Sequence, residues 1–180
     1  MSSNPTVRIA TSEDVPIILA FMRATAVEQG VPEAVTATEA DLLNTLDLSD
    51  KATDISAIHQ NLSRNGKALV LAAPEGEIAG MAIYFVTYVA WSAKSGLCLE
   101  DLYVLPAYRC RGYARLLVEA IVKDARRLGC VRTEWLCYKE NHQALRFYRN
   151  IGAKELDNLT LLRLDRDAMV ELTDEDRVVK

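Results

Sequence analysis

Apolar and polar positions follow two different periods along the chain, and the change of period separates predicted helices from predicted strands. Helical spacing follows a capping hydroxyl at Thr11 or Ser12, and again after the cap-like pair Thr38 and Asp41. Residues 68–89 instead form two β-rich runs joined by a turn at 74–77. A connection this short requires the two strands to be antiparallel.

The most informative stretch is 98–129. An apolar strand ends at Pro106, a basic loop containing glycine follows, and an amphipathic helix runs from Ala114 to a glycine at its end. A strand, loop and helix in this order direct free backbone N–H groups and the positive end of the helix dipole at one point. Arg109 and Arg111 add positive charge there, so the pattern predicts an anion-binding site.

The predicted element order is β-α-α-β-β-β-α-β-α-β. It corresponds to an α/β fold with one mixed, mostly antiparallel sheet and helices on both faces. We expect one domain over 1–180, with a core at about 7–172 and a loose tail at 173–180. The remaining predictions are strands at 7–10, 133–138 and 159–164, a turn at 92–96, helices at 141–151 and 167–172, and a short helix through Ile55, Ile58 and Leu62.

Composition excludes several classes of function. No apolar run reaches about 18 residues and no secretory signal is visible, so neither a membrane partner nor export is expected, and the predicted location is the cytoplasm. Four cysteines without a C-x-x-C pair and only two histidines argue against a metal site. A net charge of −4 argues against general nucleic-acid binding. Residues 105–154, however, carry 11 basic and 4 acidic side chains, which suits a polyanionic ligand.

Two adjacent acids, Glu100 and Asp101, interrupt the apolar central strand. Charges in such a strand are costly unless they are paired or functional. Consecutive strand residues point to opposite faces, so at most one of the two faces a reacting group directly. One interpretation is recognition of a cationic amine and relay of its proton through water. The alternative is that each acid caps a loop or pairs with an internal arginine.

Two motifs resemble those of the GNAT acetyltransferases. The loop Arg109-x-x-Gly112-x-Ala114 is similar to the family's Arg/Gln-x-x-Gly-x-Gly/Ala loop around the pyrophosphate of acetyl-CoA. Residues 141–153 resemble the family's Asn-x-x-Ala/Ser-x-x-Phe-Tyr-x-x-x-Gly-Ala segment. Residues 78–91 and 99–104 look like the diamine/polyamine branch, the spermidine/spermine and thialysine N-acetyltransferases.

The resemblance implies a GNAT fold, acetyl-CoA as co-substrate without a metal, a small amine substrate and a homodimer. It implies Tyr148 as proton donor to the sulfur of CoA, and it matches Glu28 and Glu100 to the branch's amine-binding carboxylates. Of the two adjacent acids, we therefore expect Glu100 to help take the amine proton through water. The implied acetyl-CoA contacts are Leu102, Tyr103, Val104, Arg109, Cys110, Arg111, Gly112, Tyr113, Ala114, Arg115, Asn141 and Ala144. The implied or candidate amine contacts are Glu28, Glu100, Asp101 and Trp91, although a tryptophan such as Trp91 is more often a core aromatic than a cation contact.

The sequence departs from the branch at several positions. Val89 and Ala90 replace an Asp-Pro pair, Cys110 replaces the usual second glycine of the loop, and Ala144 replaces a small hydroxyl residue. The resemblance as a whole predicts N-acetylation of a small diamine, polyamine or related amino-acid-like amine. Acetylation of an amino acid or a protein lysine, and a CoA-binding regulatory module without turnover, remain alternatives.

Overall fold

The computed structural model describes residues 4–48 and 66–173 of the 180-residue chain. The predicted short helix near Ile58 and the end of the predicted tail lie outside the described residues. The strands are β1 (Thr6–Ile9), β2 (Leu46–Asp47), β3 (Gly66–Ala72), β4 (Ile78–Val89), β5 (Lys94–Val104) and β6 (Thr133–Trp135). The helices are α1 (Val15–Glu28), α2 (Glu39–Thr45), α3 (Tyr113–Arg127), α4 (His142–Asn150) and α5 (Arg166–Thr173).

The chain divides into two compact units, Met1–Tyr138 and Lys139–Lys180. The first contains a six-stranded sheet in the order β1-β3-β4-β5-β6, with β2 beside β3. The pairs β1–β3, β3–β4 and β4–β5 are antiparallel, whereas β2–β3 and β5–β6 are parallel. The predicted mixed, mostly antiparallel sheet is therefore confirmed.

Helices α1 and α3 cover opposite faces of this sheet. Met81 belongs to the core shared with α1 and α2. An ideal Cβ placed on the neighbouring Gly80 would lie 3.4 Å from Leu117 of α3. Because consecutive strand residues point to opposite faces, the two helices lie on different sides. The same Cβ would lie only 2.8 Å from the Tyr103 carbonyl, so a glycine is required where β4 and α3 approach β5.

The predicted start of α2 is confirmed, whereas the predicted cap at Thr11 opens a short 3₁₀ turn and the N-cap of α1 is Asp14. Thr38 and Asp41 form a reciprocal capping box at α2, with the Asp41 N–H 3.2 Å from the Thr38 hydroxyl. Before α1, a short 3₁₀ turn begins after Thr11, whose backbone N–H donates to Asp14 over 2.7 Å. Asp14 is buried and is held by two hydrogen bonds from Arg8, which compensate for the burial of its charge.

The predicted strand at 159–164 is wrong. These residues have no regular secondary structure, and Leu162 is 86% exposed. A strand needs a neighbour to satisfy its backbone groups, and the described part of the unit Lys139–Lys180 contains only helices and irregular segments. Two smaller corrections concern the ends of strands. Strand β6 ends at Trp135 rather than at 138, and strand β5 begins at Lys94, within the predicted turn at 92–96.

Candidate functional site

The second half of β5 presents an open backbone edge. Pairing with β6 ends at Leu99 and Trp135, whereas β5 continues to Val104, and no other strand in the described parts of the chain pairs with that side. The Leu105 N–H donates to Ala79 on β4. By strand alternation, the backbone groups of Leu102 and Val104 point away from β4, towards this open side. An extended ligand can therefore lie along β5 as a further strand would.

The loop after β5 ends at the start of α3 in a left-handed turn. Gly112 has φ +83°, and Cys110 has φ +61°, a region that non-glycine residues rarely occupy. The first helical hydrogen bond runs from the Leu116 N–H to the Gly112 carbonyl, 3.1 Å away. The N–H groups of Tyr113, Ala114 and Arg115 precede it and point out of the helix start, where the dipole favours an anion. This arrangement fits the diphosphate of acetyl-CoA.

Arg109 joins residues predicted for two different ligands. Its Nε donates to the Val104 carbonyl over 2.9 Å, and its Nη2 contacts the Glu28 carboxylate over 2.6 Å. Its guanidinium also lies over the ring of Tyr103, 5.5 Å from the centroid. Sequence reasoning assigned Arg109 to the coenzyme and Glu28 to the amine. The structure brings the two together at the end of α1, and both side chains are partly exposed.

Arg111 lies on the other flank of the loop, over the ring of Tyr108 at 4.8 Å from the centroid. The Tyr108 hydroxyl contacts Glu75 and Glu77 of the β3–β4 turn. Sequence reasoning missed these three residues as parts of the site. A tyrosine directly before the basic loop, and two acids around Gly76, were the available signals, but nothing local linked them.

The acids of β5 occupy different environments, Glu100 exposed and Asp101 half-buried. The register of β4 and β5 shifts at Ile83 and Tyr84, so Glu100 is the extra residue of a β-bulge, and its side chain is exposed. Burial raises the pKa of Asp101 to about 6, against hydrogen bonds from the Leu102 backbone and Thr25 that lower it, and Glu100 adds to the rise. The Thr25 hydroxyl lies 3.5 Å from the Asp101 carboxyl.

Trp91 lies in the short turn Ala90–Ser92 before β5, at the opposite end of that strand from Val104, and its side chain is fully exposed. It is therefore not one of the core aromatics of the described structure. The structure places it apart from the loop and the acids, so its role towards the amine stays a prediction.

In the unit Lys139–Lys180, Asn141 caps α4: its side-chain oxygen accepts a hydrogen bond from the Ala144 N–H over 3.1 Å. This hydrogen bond fixes the first turn of α4 at the start of the motif. Tyr148 lies on the last turns of α4, half-buried, with its ring 5.2 Å from that of Phe147.

Within residues 4–48 and 66–173, no group of three or more His, Cys, Asp or Glu side chains is arranged to hold a metal ion. Across those same residues, none of the helices has the length and apolar character needed to cross a membrane.

The chain is similar to solved structures over nearly its whole length. An integron cassette protein from V. cholerae superposes with a TM-score of 0.71 at 20% identity, covering 97% of this chain and 99% of that one. At this identity the likeness shows the fold alone.

Among relatives, an L-ornithine N5-acetyltransferase from Arabidopsis thaliana is 36% identical over 92 residues, which are 51% of this chain and 40% of that protein. A thialysine N-epsilon-acetyltransferase from Caenorhabditis elegans is 28% identical over 140 residues, 76% of this chain and 81% of the relative. The chain thus spans less than half of the plant relative. Residues 34–153, two thirds of the sequence, match the acetyltransferase (GNAT) family. The chain belongs to the acetyltransferase (GNAT) family.

Proposed function

We propose that the protein transfers an acetyl group from acetyl-CoA to a primary amine of a small diamine, polyamine or related amino-acid-like amine. The observation that carries the proposal is the junction of β5 and α3. There the open edge at Leu102 and Val104 leads directly to the free amides at the start of a helix. An extended ligand arm can bind along the open edge, and its anionic end can bind at the helix start, within the same unit.

Family membership and the relatives support the chemistry. Bound acetyl-CoA supplies an activated acetyl group as a thioester. The amides of 110–115, with Arg109 and Arg111, would hold its diphosphate, and the backbone of 102–104 its pantetheine arm. By the motif resemblance, Asn141 and Ala144 contribute to the same ligand.

Transfer requires a new N–C bond, cleavage of the C–S bond, loss of a proton from the amine and gain of one by sulfur. The Val104 N–H, which points to the open side of β5, donates to the thioester carbonyl as negative charge develops on it. Glu100, exposed on the bulge, accepts the amine proton through water. Tyr148 donates a proton to the departing sulfur; this role rests on the resemblance of residues 141–153.

A cationic substrate fits the acids at the bulge and on α1. Asp101, with its pKa near 6, is largely ionised at neutral pH and attracts an ammonium group. Glu28 provides a second carboxylate, which Arg109 partly neutralises. Ornithine and thialysine, the substrates for which these relatives are named, each carry a side-chain amine, which supports this substrate class.

The test is thiol release from acetyl-CoA with a panel of amines. We expect turnover with ornithine, thialysine, putrescine or spermidine, and a decrease of at least about 10²-fold in Tyr148→Phe. Release only with single-amine amino acids or lysine peptides would favour the alternative substrates. Binding of CoA without release for any amine would favour a regulatory CoA-binding module.

By the same resemblance we propose a homodimer, and because four cysteines without a C-x-x-C pair favour reduced thiols, we propose a cytoplasmic location. Sedimentation equilibrium of the purified chain should give twice its 20.0 kDa mass. A monomer at all micromolar concentrations would contradict the dimer without affecting the proposed chemistry.

A further inference from the structure

The β3–β4 turn contacts the loop through a single buried phenol. The Tyr108 hydroxyl lies 2.7 Å from Oε1 of Glu75 and 2.6 Å from Oε2 of Glu77. The turn itself is tight: the Gly76 N–H donates to the Ala73 carbonyl over 2.9 Å, and Gly76 has φ +95°. The two carboxylates are thereby held on either side of Gly76, facing one hydroxyl.

The ring of Tyr108 contacts both sides of the loop. It stacks on Tyr113, the first residue of α3, with centroids 5.9 Å apart and planes 21° from parallel. The Arg111 guanidinium lies over the same ring, 4.8 Å from its centroid. Only 7% of Tyr108 is exposed. One side chain therefore touches the turn, an arginine of the loop and the helix start.

Charge favours the same arrangement. The hydrogen bond to Glu77, and then that to Glu75, raise the pKa of Tyr108, so the phenol remains a donor at neutral pH. The hydrogen bond from Tyr108 lowers the pKa of Glu75 first, and the charge of Arg111 lowers it further. The phenol has one proton for two acceptors, and Arg111 offsets the remaining negative charge.

We propose that Tyr108 is a positioning residue for the coenzyme. Its hydroxyl, fixed by Glu75 and Glu77, sets the place of Arg111 and of the free amides that begin α3. This inference rests on the proposed function, because it assumes that those groups bind the diphosphate of acetyl-CoA.

The test is Tyr108→Phe, which keeps the ring and removes the hydroxyl. We expect the Kd for CoA by calorimetry, and the KM for acetyl-CoA, to rise about tenfold, since the lost bonds reach charged acceptors. The kcat and the KM for the amine should stay within twofold. Tyr88→Phe is the matched control, because Tyr88 is an exposed tyrosine of β4, 71% accessible, and should change none of these values.

A double-mutant cycle tests the partners. Glu77→Ala alone should weaken CoA binding severalfold, and adding it to Tyr108→Phe should weaken it no further, because the contact is already lost. Additive losses, or a Tyr108→Phe protein that melts earlier but binds CoA normally, would overturn the proposal. If the wild-type chain binds no CoA, the proposed function fails instead. If it binds CoA without turnover, the Kd values still decide the role of Tyr108.

Discussion

The loop region, 94–127, and the C-terminal region, 139–173, are both predicted to contact the coenzyme, yet they are built differently. In the loop region, Leu97, Leu117 and Ile121 are almost fully buried, and Arg109 and Arg111 each lie over a tyrosine ring. In the C-terminal region, Leu161 and Leu162 are mostly exposed. Packing therefore fixes the geometry of the binding loop, whereas the chemistry assigned to Tyr148 rests on its motif.

Because of this difference, we expect variants in the two regions to change different kinetic parameters. The largest expected effect is that of Tyr148→Phe, which should lower kcat about 10²-fold by removing an acid, and leave the KM for acetyl-CoA unchanged. Steady-state thiol release measures both values. Tyr138→Phe, at an exposed tyrosine outside the motif, is the control. An unchanged kcat in Tyr148→Phe would remove the chemical role from the C-terminal region.

The next effect concerns stability in the loop region. Because the pKa of Asp101 in the folded protein, about 6, exceeds its unfolded value of about 3.9, the folded state binds the proton more tightly. This group therefore lowers stability as pH rises from about 4 to about 6, and the penalty is complete above that range. Asp101→Asn should raise the free energy of unfolding by about 2 kcal/mol at pH near 7.5, and by little at pH near 4.

Urea unfolding at the two pH values checks this expectation. Asp157→Asn, at an exposed position of the C-terminal region, should change stability by less than about 0.5 kcal/mol at both. An equal gain for Asp101→Asn at both pH values would show that its buried charge carries no penalty.

Two glycines allow a direct comparison of the regions. Gly112 and Gly152 both have positive φ, +83° and +96°, and no atom lies within 4 Å of an added Cβ at either. Alanine at each should destabilise the protein by about 1 kcal/mol through backbone strain alone. Only Gly112→Ala should also raise the Kd for CoA, because it displaces the amides at the start of α3. Equal effects of both variants on CoA binding would contradict this.

The smallest expected effect is that of Cys110→Gly. Glycine removes the backbone strain at φ +61°, but it also increases the conformational entropy of the unfolded chain. We therefore expect the free energy of unfolding to rise by about 0.5 kcal/mol at most. Ala93→Gly, at φ +50° in the turn before β5, should give a similar stability change. Thermal unfolding measures both, and a clear destabilisation by Cys110→Gly would mean that its thiol stabilises the loop.

Much of this structure could be predicted from local pattern. The capping box of Thr38 and Asp41 depends on residues three apart, and the order of strand, loop and helix around Gly112 depends on adjacent segments. These features could be predicted because their causes lie within a few residues of one another.

The remaining features depend on distant partners. Arg109 and Glu28 are 81 positions apart, and Tyr108 and Glu75 are 33 apart, so only the tertiary fold brings each pair together. The leucines of 159–164 have strand propensity, but propensity does not supply a neighbouring strand. Tertiary contacts therefore determine both the partners of the loop arginines and the absence of a strand at 159–164, and a local pattern predicts neither.

The most direct test of the central claim is a crystal structure of this chain with coenzyme A. We predict that the diphosphate accepts hydrogen bonds from backbone N–H groups within 110–115, at the start of α3, with the pantetheine arm along Leu102 and Val104. A diphosphate bound away from these amides would contradict the account.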